Sequence, residues 1–205
     1  MLDRLFDADR ASLITETVLG VIGEFGIDCS QLHNDSTTVT LTGAYPGADG
    51  YARAGKPTPA ARRGHNKDFR PDLKQLLFIL TISADGAVPI AYRTADGNTN
   101  DDVTHIPTWD QLCRLTGTAG FLYVADAKLC SREAMAHIDS HGGRFITLVP
   151  RGRREDSWFR DWAQTHAPAW VEAERRPGTR DGEPDQVWRT FEAPVPSSDG
   201  YRVIW

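Results

Sequence analysis

FLYVADAKLCS, residues 121–131, is the stretch around which this 205-residue chain is organised. Its first five residues are uncharged and run directly into Asp126, and a helix-like segment follows Ser131. This pattern predicts a buried strand followed by a helix. Open α/β sheets bind ligands at the carboxyl ends of such strands. Asp126 is therefore either a carboxylate that faces a ligand or a plain capping residue.

The segments on either side of this stretch predict a mixed α/β sheet with helices packed on it. Three strands that pair in antiparallel fashion come first, and helices and strands then alternate. The second strand is almost continuously apolar, as expected when both faces of a sheet are covered. The predicted strands are 31–42, 73–82, 88–93, 121–125 and 145–149, and the predicted helices are 103–115 and 131–140.

In this arrangement the first strand can lie centrally beside the fourth, which makes Asp35 and Asp126 neighbours. Aspartate is disfavoured inside strands, so Asp35 indicates either a frayed strand or a carboxylate that faces a site. Two close carboxylates repel each other unless a cation lies between them. Carboxylate oxygens suit Mg²⁺ or Mn²⁺, and two such ions stabilise the attacking and leaving oxygens of a phosphoryl transfer. The pair thus predicts a hard-metal site.

Composition restricts the class of protein. Hydrophobic residues make up 40% of the chain and charged residues 25%, as in ordinary globular proteins. A net charge of −5 argues against a uniformly basic surface but leaves room for a local basic face. No apolar run approaches the ~20 residues of a membrane span, and the acidic N-terminus is unlike a signal peptide. The three cysteines, an odd number without a close pair, favour a reducing compartment, so we expect a cytoplasmic protein.

The chain divides into three predicted parts. Residues 1–28 form an amphipathic helical segment, residues 29–150 the core, and residues 151–205 a subdomain rich in tryptophan. Within the core, residues 43–65 are a loop punctuated by glycine and proline with excess basic charge. A loop of this length in a compact domain is usually functional or disordered.

Four segments in the same order resemble the DDE-type transposases of bacterial insertion sequences. They are HNDSTT (33–38), GHNKDFRPDLKQ (64–75), DGNTND (96–101) and VADAKLCS (124–131). The resemblance covers roughly residues 30 to 165. It implies a ribonuclease H-like catalytic core that cuts and joins double-stranded DNA with two aspartates, one glutamate and Mg²⁺. Asp35 matches the first aspartate and Asp126 the second.

The resemblance also implies a third carboxylate, a glutamate that follows a Tyr-Arg pair on a helix beyond a strand-rich insertion. Here Tyr201 and Arg202 are not followed by that glutamate. Residues 151–205 resemble only the start of the insertion, so we expect a truncated transposase that is a homodimer when full length. The alternative is a catalytically inactive remnant that only binds DNA or a full-length partner.

Basic residues near the two aspartates are candidate contacts to DNA phosphates. His65, Lys67 and Arg70 precede the second strand, and Lys128 closely follows Asp126. Phosphate contacts need only accessible cationic or polar side chains. The same residues can equally be parts of a solvated basic surface.

Overall fold

A computed structural model of the chain describes residues 4, 7–65, 69–180 and 182–205. The chain divides into two compact units, Met1–Leu148 and Val149–Trp205. No helix within the described ranges is long and apolar enough to cross a membrane.

The first unit contains a five-stranded sheet with the strand order β3-β2-β1-β4-β5. β2 is antiparallel to β1 and β3, whereas β4 is parallel to β1 and β5. The predicted mixed α/β sheet, with its first strand beside the fourth, is therefore confirmed. The strands are β1 (Gln31–Leu41), β2 (Lys74–Ser83), β3 (Pro89–Asp96), β4 (Leu122–Ala125) and β5 (Arg144–Thr147).

Among the described residues, three helices with defined bounds accompany this sheet, and local capping sets the ends of two of them. The helices are α1 (Arg10–Phe25), α2 (His105–Thr116) and α3 (Arg132–Ser140). Gly26 ends α1 in the left-handed conformation, at φ 62°, that glycine adopts without steric cost. Ser131 begins α3 by accepting a 3.1 Å hydrogen bond from the Ala134 N–H. Short 3₁₀ helices, Asp101–Thr104 and Ala127–Leu129, precede α2 and α3.

One face of the sheet, the helix-covered face, forms the hydrophobic core. Alternate residues of β1, β2 and β4 point to it, because side chains along a strand alternate between faces. Leu32 and Tyr123 are fully buried there, and Val18 and Ile22 of α1 pack against the same core. The buried strand residues of this face include Leu32, Asn34, Ser36, Leu77, Ile79, Thr81 and Tyr123.

The opposite face, the open face, carries the other alternate residues and is much more exposed. On β1 these are His33, Asp35, Thr37 and Val39, and the last is 45% exposed. The apolar residues of β2 on this face, Leu76, Phe78, Leu80 and Ile82, are only half-buried. The expectation that β2 is covered on both faces is therefore wrong for the described residues. Phe78 instead stacks on Tyr92 of the neighbouring strand, at 5.9 Å between ring centroids.

The second unit is built around aromatic side chains. It contains α4 (Arg154–Thr165) and a two-stranded antiparallel sheet of β6 (Val171–Arg176) and β7 (Gln186–Thr190). Phe159 stacks on Trp205 at 4.3 Å between centroids, and Trp162 stacks on the buried Phe191 at 5.1 Å. These contacts assign the clustered aromatics to packing within the unit.

Candidate metal centre

Asp35 lies in the middle of the central strand β1, on the open face of the sheet. Its neighbours Asn34 and Ser36 point to the helix-covered face and are buried, whereas Asp35 is exposed. Its Oδ1 accepts a 2.8 Å hydrogen bond from the Ser36 N–H. The strand is continuous at this position, so the fraying alternative does not apply. Asp35 presents a carboxylate on an ordered strand.

Asp126 follows the last residue of β4 and is also exposed. Its backbone stays extended, at φ −70° and ψ −173°, and its Oδ1 accepts a 2.9 Å hydrogen bond from the Lys128 N–H. Asp126 thereby caps the 3₁₀ helix Ala127–Leu129, which confirms the capping interpretation. The same exposed carboxylate can also face a ligand. The Thr147 hydroxyl donates to the Asp126 carbonyl oxygen at 2.6 Å, which attaches this residue to β5.

The strand register puts these two aspartates at matching levels of the sheet. Asn34 of β1 is paired with Ala125 of the parallel strand β4, and Asp35 and Asp126 come next on their respective chains. Neighbouring strands lie about 4.8 Å apart, and alternation directs both residues to the same face. The register therefore places the two residues at the same level of the open face, on and directly after adjacent strands.

The chemistry of this pair fits a hard divalent cation. Both side chains are carboxylates in contact with solvent, and oxygen ligands of this kind suit Mg²⁺ or Mn²⁺. Within the described part of the chain, no three histidine, cysteine, aspartate or glutamate side chains are grouped to hold a metal. The pair would therefore supply two protein ligands, and water or substrate oxygens would complete the coordination.

A buried histidine behind Asp126 was missed by sequence reasoning. His105 begins α2, is 3% exposed, and its Nδ1 lies 3.2 Å from the hydroxyl of fully buried Tyr123. Its Nε2 is buried and has no hydrogen-bond partner among the described residues. Burial lowers the pKa of His105, and three carboxylates act in the opposite direction: Asp126, Asp101 and Asp102. In the sequence, Asp101 and Asp102 shortly before His105 were the signal that could have drawn attention to this histidine.

The four predicted DNA-contacting residues differ in their surroundings. Lys128 is exposed and lies two residues from Asp126. Arg70 makes a two-pronged ion pair with Asp72, at 2.8 and 2.9 Å, which holds the pKa of that carboxyl below its usual value. His65 is exposed, and Lys67 lies outside the described residues. Their contacts to DNA stay a prediction.

Residues of two motif segments fasten the 43–65 loop to the ends of β2 and β3. Buried Gln75 donates from Nε2 to the carbonyl oxygens of Gly97, at 2.6 Å, and His65, at 3.2 Å. A Cβ on Gly97 would lie 1.9 Å from the Gln75 carbonyl oxygen, and one on Gly64 would lie 2.4 Å from the Gly97 oxygen. Only glycine permits this approach. The loop is thus ordered at the end of the sheet where β1 and β3 end and β2 begins.

The strand order β3-β2-β1-β4-β5, with β2 antiparallel to both of its neighbours, is a mixed α/β arrangement. No protein-family model matches the chain, and no curated protein is significantly similar to it. Solved structures of Mos1 transposase are similar to it at 11% identity, and the chain spans less than half the length of each.

The first of these structures is the Mos1 transposase paired-end complex with the left transposon end. Its TM-score is 0.37, and the match covers 67% of this chain and 41% of that one. The Mos1 strand transfer complex has a TM-score of 0.35, with 64% and 39% covered. The Mos1 mariner paired-end complex with Mn also has a TM-score of 0.35, with 75% and 47% covered.

Proposed function

We propose that this chain is a catalytic core of a DDE-type DNA transposase, which cleaves and joins DNA strands at the ends of an insertion sequence. The observation that carries the proposal is the register of β1 and β4, which brings Asp35 and Asp126 to matching positions on one face. The four ordered motif segments support it independently, because the two aspartates lie within the first and the last of them.

Asp35 and Asp126 would bind Mg²⁺ or Mn²⁺ through their carboxylate oxygens. The bound ions would supply Lewis-acid stabilisation of charge on the phosphoryl oxygens. Lys128, beside Asp126, would contact a DNA phosphate, and so would the basic residues before β2: His65, Lys67 and Arg70. Because Arg70 already pairs with Asp72, binding DNA would require it to exchange or share that partner.

The reaction consists of two phosphoryl transfers. A water oxygen attacks the phosphodiester at the transposon end, a new P–O bond forms, and the bond to the 3′ oxygen breaks to leave a 3′-hydroxyl. That hydroxyl then attacks a target phosphodiester, joins the two strands, and releases a 3′-hydroxyl on the target. Each step exchanges one P–O bond for another, so no external energy source is needed. We place this activity in the cytoplasm, with double-stranded DNA as substrate and a homodimer as the full-length assembly.

The test is cleavage of a labelled duplex that carries the terminal sequence of the DNA element encoding the chain, with Mn²⁺ present. We expect Asp35→Asn and Asp126→Asn each to reduce cleavage by about a thousandfold or more, because each removes a charged metal ligand. Asp139→Asn is the matched control, since Asp139 is an exposed aspartate on α3. This control should cleave at the wild-type rate.

Metal binding gives a second measurement that does not depend on cleavage. Calorimetric titration with Mn²⁺ should show binding to the wild type and to Asp139→Asn, and much weaker binding to the two site variants. Salt-sensitive DNA binding by a wild type that neither cleaves nor binds Mn²⁺ would instead support the inactive remnant. Equal Mn²⁺ affinity in all four proteins would refute the proposed centre.

A further inference from the structure

A cavity of about 600 Å³ lies between α1, α2 and the edge strand β3 of the first unit. Its walls are partly apolar, with Ile14 and Val18 from α1, Ile90 from β3 and Leu115 from α2. Sites for small molecules typically measure about 300–1,000 Å³ and combine apolar walls with a few polar groups. The cavity therefore has the size and the lining of a ligand site.

The charged residues that line this cavity are mainly cationic. Arg10, Lys56 and Arg93 contribute positive charge and Asp9 contributes one carboxylate, which leaves two net positive charges in a chain of net charge −5. The Asp9 carboxylate already accepts hydrogen bonds from the Ser12 N–H and hydroxyl, at 3.2 and 2.7 Å. A cavity with this balance attracts anions.

Arg93 is the most unusual residue of the lining. It points to the helix-covered side of β3, where its partner across the strands is the buried Ile79. Its Nη1 is buried and has no hydrogen-bond partner in the part of the chain that the structure describes. Burial lowers the pKa of Arg93, Tyr123 acts in the opposite direction, and the positive charge of Arg114 lowers the pKa further. Among the described residues no carboxylate forms an ion pair with this partly desolvated guanidinium, so a bound anion would stabilise it.

We propose that this cavity binds a phosphate group, with the Arg93 guanidinium as its principal ligand. The planar guanidinium presents its N–H donors in a fork that matches two oxygens of a phosphate. The phosphate belongs either to a small phosphorylated molecule or to a DNA strand. The site is separate from the Asp35–Asp126 pair, because β3 is the edge strand, two strands from β1, and neither aspartate lines the cavity.

Binding is tested on the full chain with three probes: inorganic phosphate, adenosine monophosphate and a short DNA duplex. Calorimetry serves for the two small probes and fluorescence anisotropy for the duplex. We expect Arg93→Gln to weaken binding by about tenfold or more, the effect of losing a charge-assisted hydrogen bond. Arg93→Lys keeps the positive charge but lacks the forked N–H donors, so its affinity should lie between those of the wild type and Arg93→Gln. Arg160→Gln is the control, because Arg160 is an exposed arginine paired with Asp156 on α4.

Thermal unfolding separates lost binding from lost folding. Without a probe, Arg93→Gln should unfold at the wild-type temperature or above it, because the substitution removes an uncompensated charge. Phosphate should raise the unfolding temperature of the wild type and of Asp126→Asn but leave that of Arg93→Gln unchanged. A response to the small probes identifies a phosphorylated molecule, and a response to the duplex alone identifies DNA. The proposal is overturned if the wild type binds none of the probes, or if Arg93→Gln binds them equally well.

Discussion

The two faces of the five-stranded sheet share the same strands but have opposite physical character. On β1, Leu32, Asn34 and Ser36 are at most 8% exposed, whereas Asp35 and Thr37, which point to the other face, are exposed. The helix-covered face is held together by packing, and the open face carries the carboxylate. Buried core residues and the exposed Asp35 carboxylate are thus adjacent in sequence but lie on opposite faces of one strand.

This separation explains how an aspartate is tolerated in the centre of a sheet. A charged group on the helix-covered face would lose its hydration without a partner, which costs several kcal/mol. On the open face the same carboxylate stays hydrated, and the core residues on either side keep the strand in place. Substitutions on the two faces should therefore affect different measured quantities.

The largest expected effect on stability comes from the helix-covered face. Leu32→Ala should lower the free energy of unfolding by about 3 kcal/mol, because it leaves a cavity beneath a fully buried position. Thr37→Ala, on the open face of the same strand, should change it by about 0.5 kcal/mol or less. Urea unfolding of both variants measures this difference. Similar losses would mean that the two faces contribute equally to stability.

A smaller loss of stability is expected when a buried polar pair on the helix-covered face is broken. The Thr81 hydroxyl donates to Asn34 Oδ1 at 2.9 Å, and both residues are at most 5% exposed. Thr81→Val should cost about 1.5 kcal/mol, because the Asn34 oxygen is left buried and unpaired. The double variant Asn34→Leu/Thr81→Val should recover part of this loss, since neither partner then remains unsatisfied. A double variant that loses the sum of the two single effects would contradict this explanation.

His105, which is buried on the helix-covered side, should make the free energy of unfolding depend on pH. Its pKa is below the usual value of about 6.5, so between these two values the unfolded chain binds more protons than the folded one. The contribution of neutral His105 is fully present above about pH 6.5 and is lost as the pH falls toward the folded-state pKa.

The measurement is the free energy of unfolding of the wild type and of His105→Gln across this range. The wild type should lose more stability than the variant as the pH is lowered. Because both proteins share every other titratable group, the difference between their curves isolates His105. Parallel curves would show that His105 does not titrate differently in the folded chain.

Much of the fold was predictable from the sequence because its strands are bounded by clear turn residues. The order of β1 to β5 and the position of β1 beside β4 followed from those boundaries. The double coverage of β2 was predicted wrongly, because an apolar run such as Leu76–Ile82 does not reveal which face another element will cover. Burial on the open face depends on tertiary partners rather than on the local sequence.

The candidate site was predictable only in part. Asp35 and Asp126 stood out as carboxylates on strands that the topology makes adjacent, and their role as metal ligands stays a prediction. The contact between His105 and Tyr123 was not foreseen, since it joins a helix start to a strand 18 residues away. The anchoring of the 43–65 loop by Gln75 was also missed, because the bonds run from a strand side chain to distant backbone carbonyls.

The smallest expected effect concerns the hydrogen bond that attaches Asp126 to β5. The Thr147 hydroxyl donates to the Asp126 carbonyl oxygen at 2.6 Å, so Thr147→Val removes one hydrogen bond with little change of shape. We expect a loss of about 0.5–1 kcal/mol in the free energy of unfolding. We also expect Mn²⁺ binding to weaken a few-fold, because the backbone that positions the carboxylate becomes less constrained.

Thr94→Val is the matched control, since Thr94 is an exposed residue on the open face of β3. It should leave both urea unfolding and Mn²⁺ titration within error of the wild type. Thr147→Val with reduced stability but unchanged Mn²⁺ affinity would show that β5 does not position Asp126. Mn²⁺ binding at the Asp126 carboxylate would then be independent of the hydrogen bond that its backbone makes with β5.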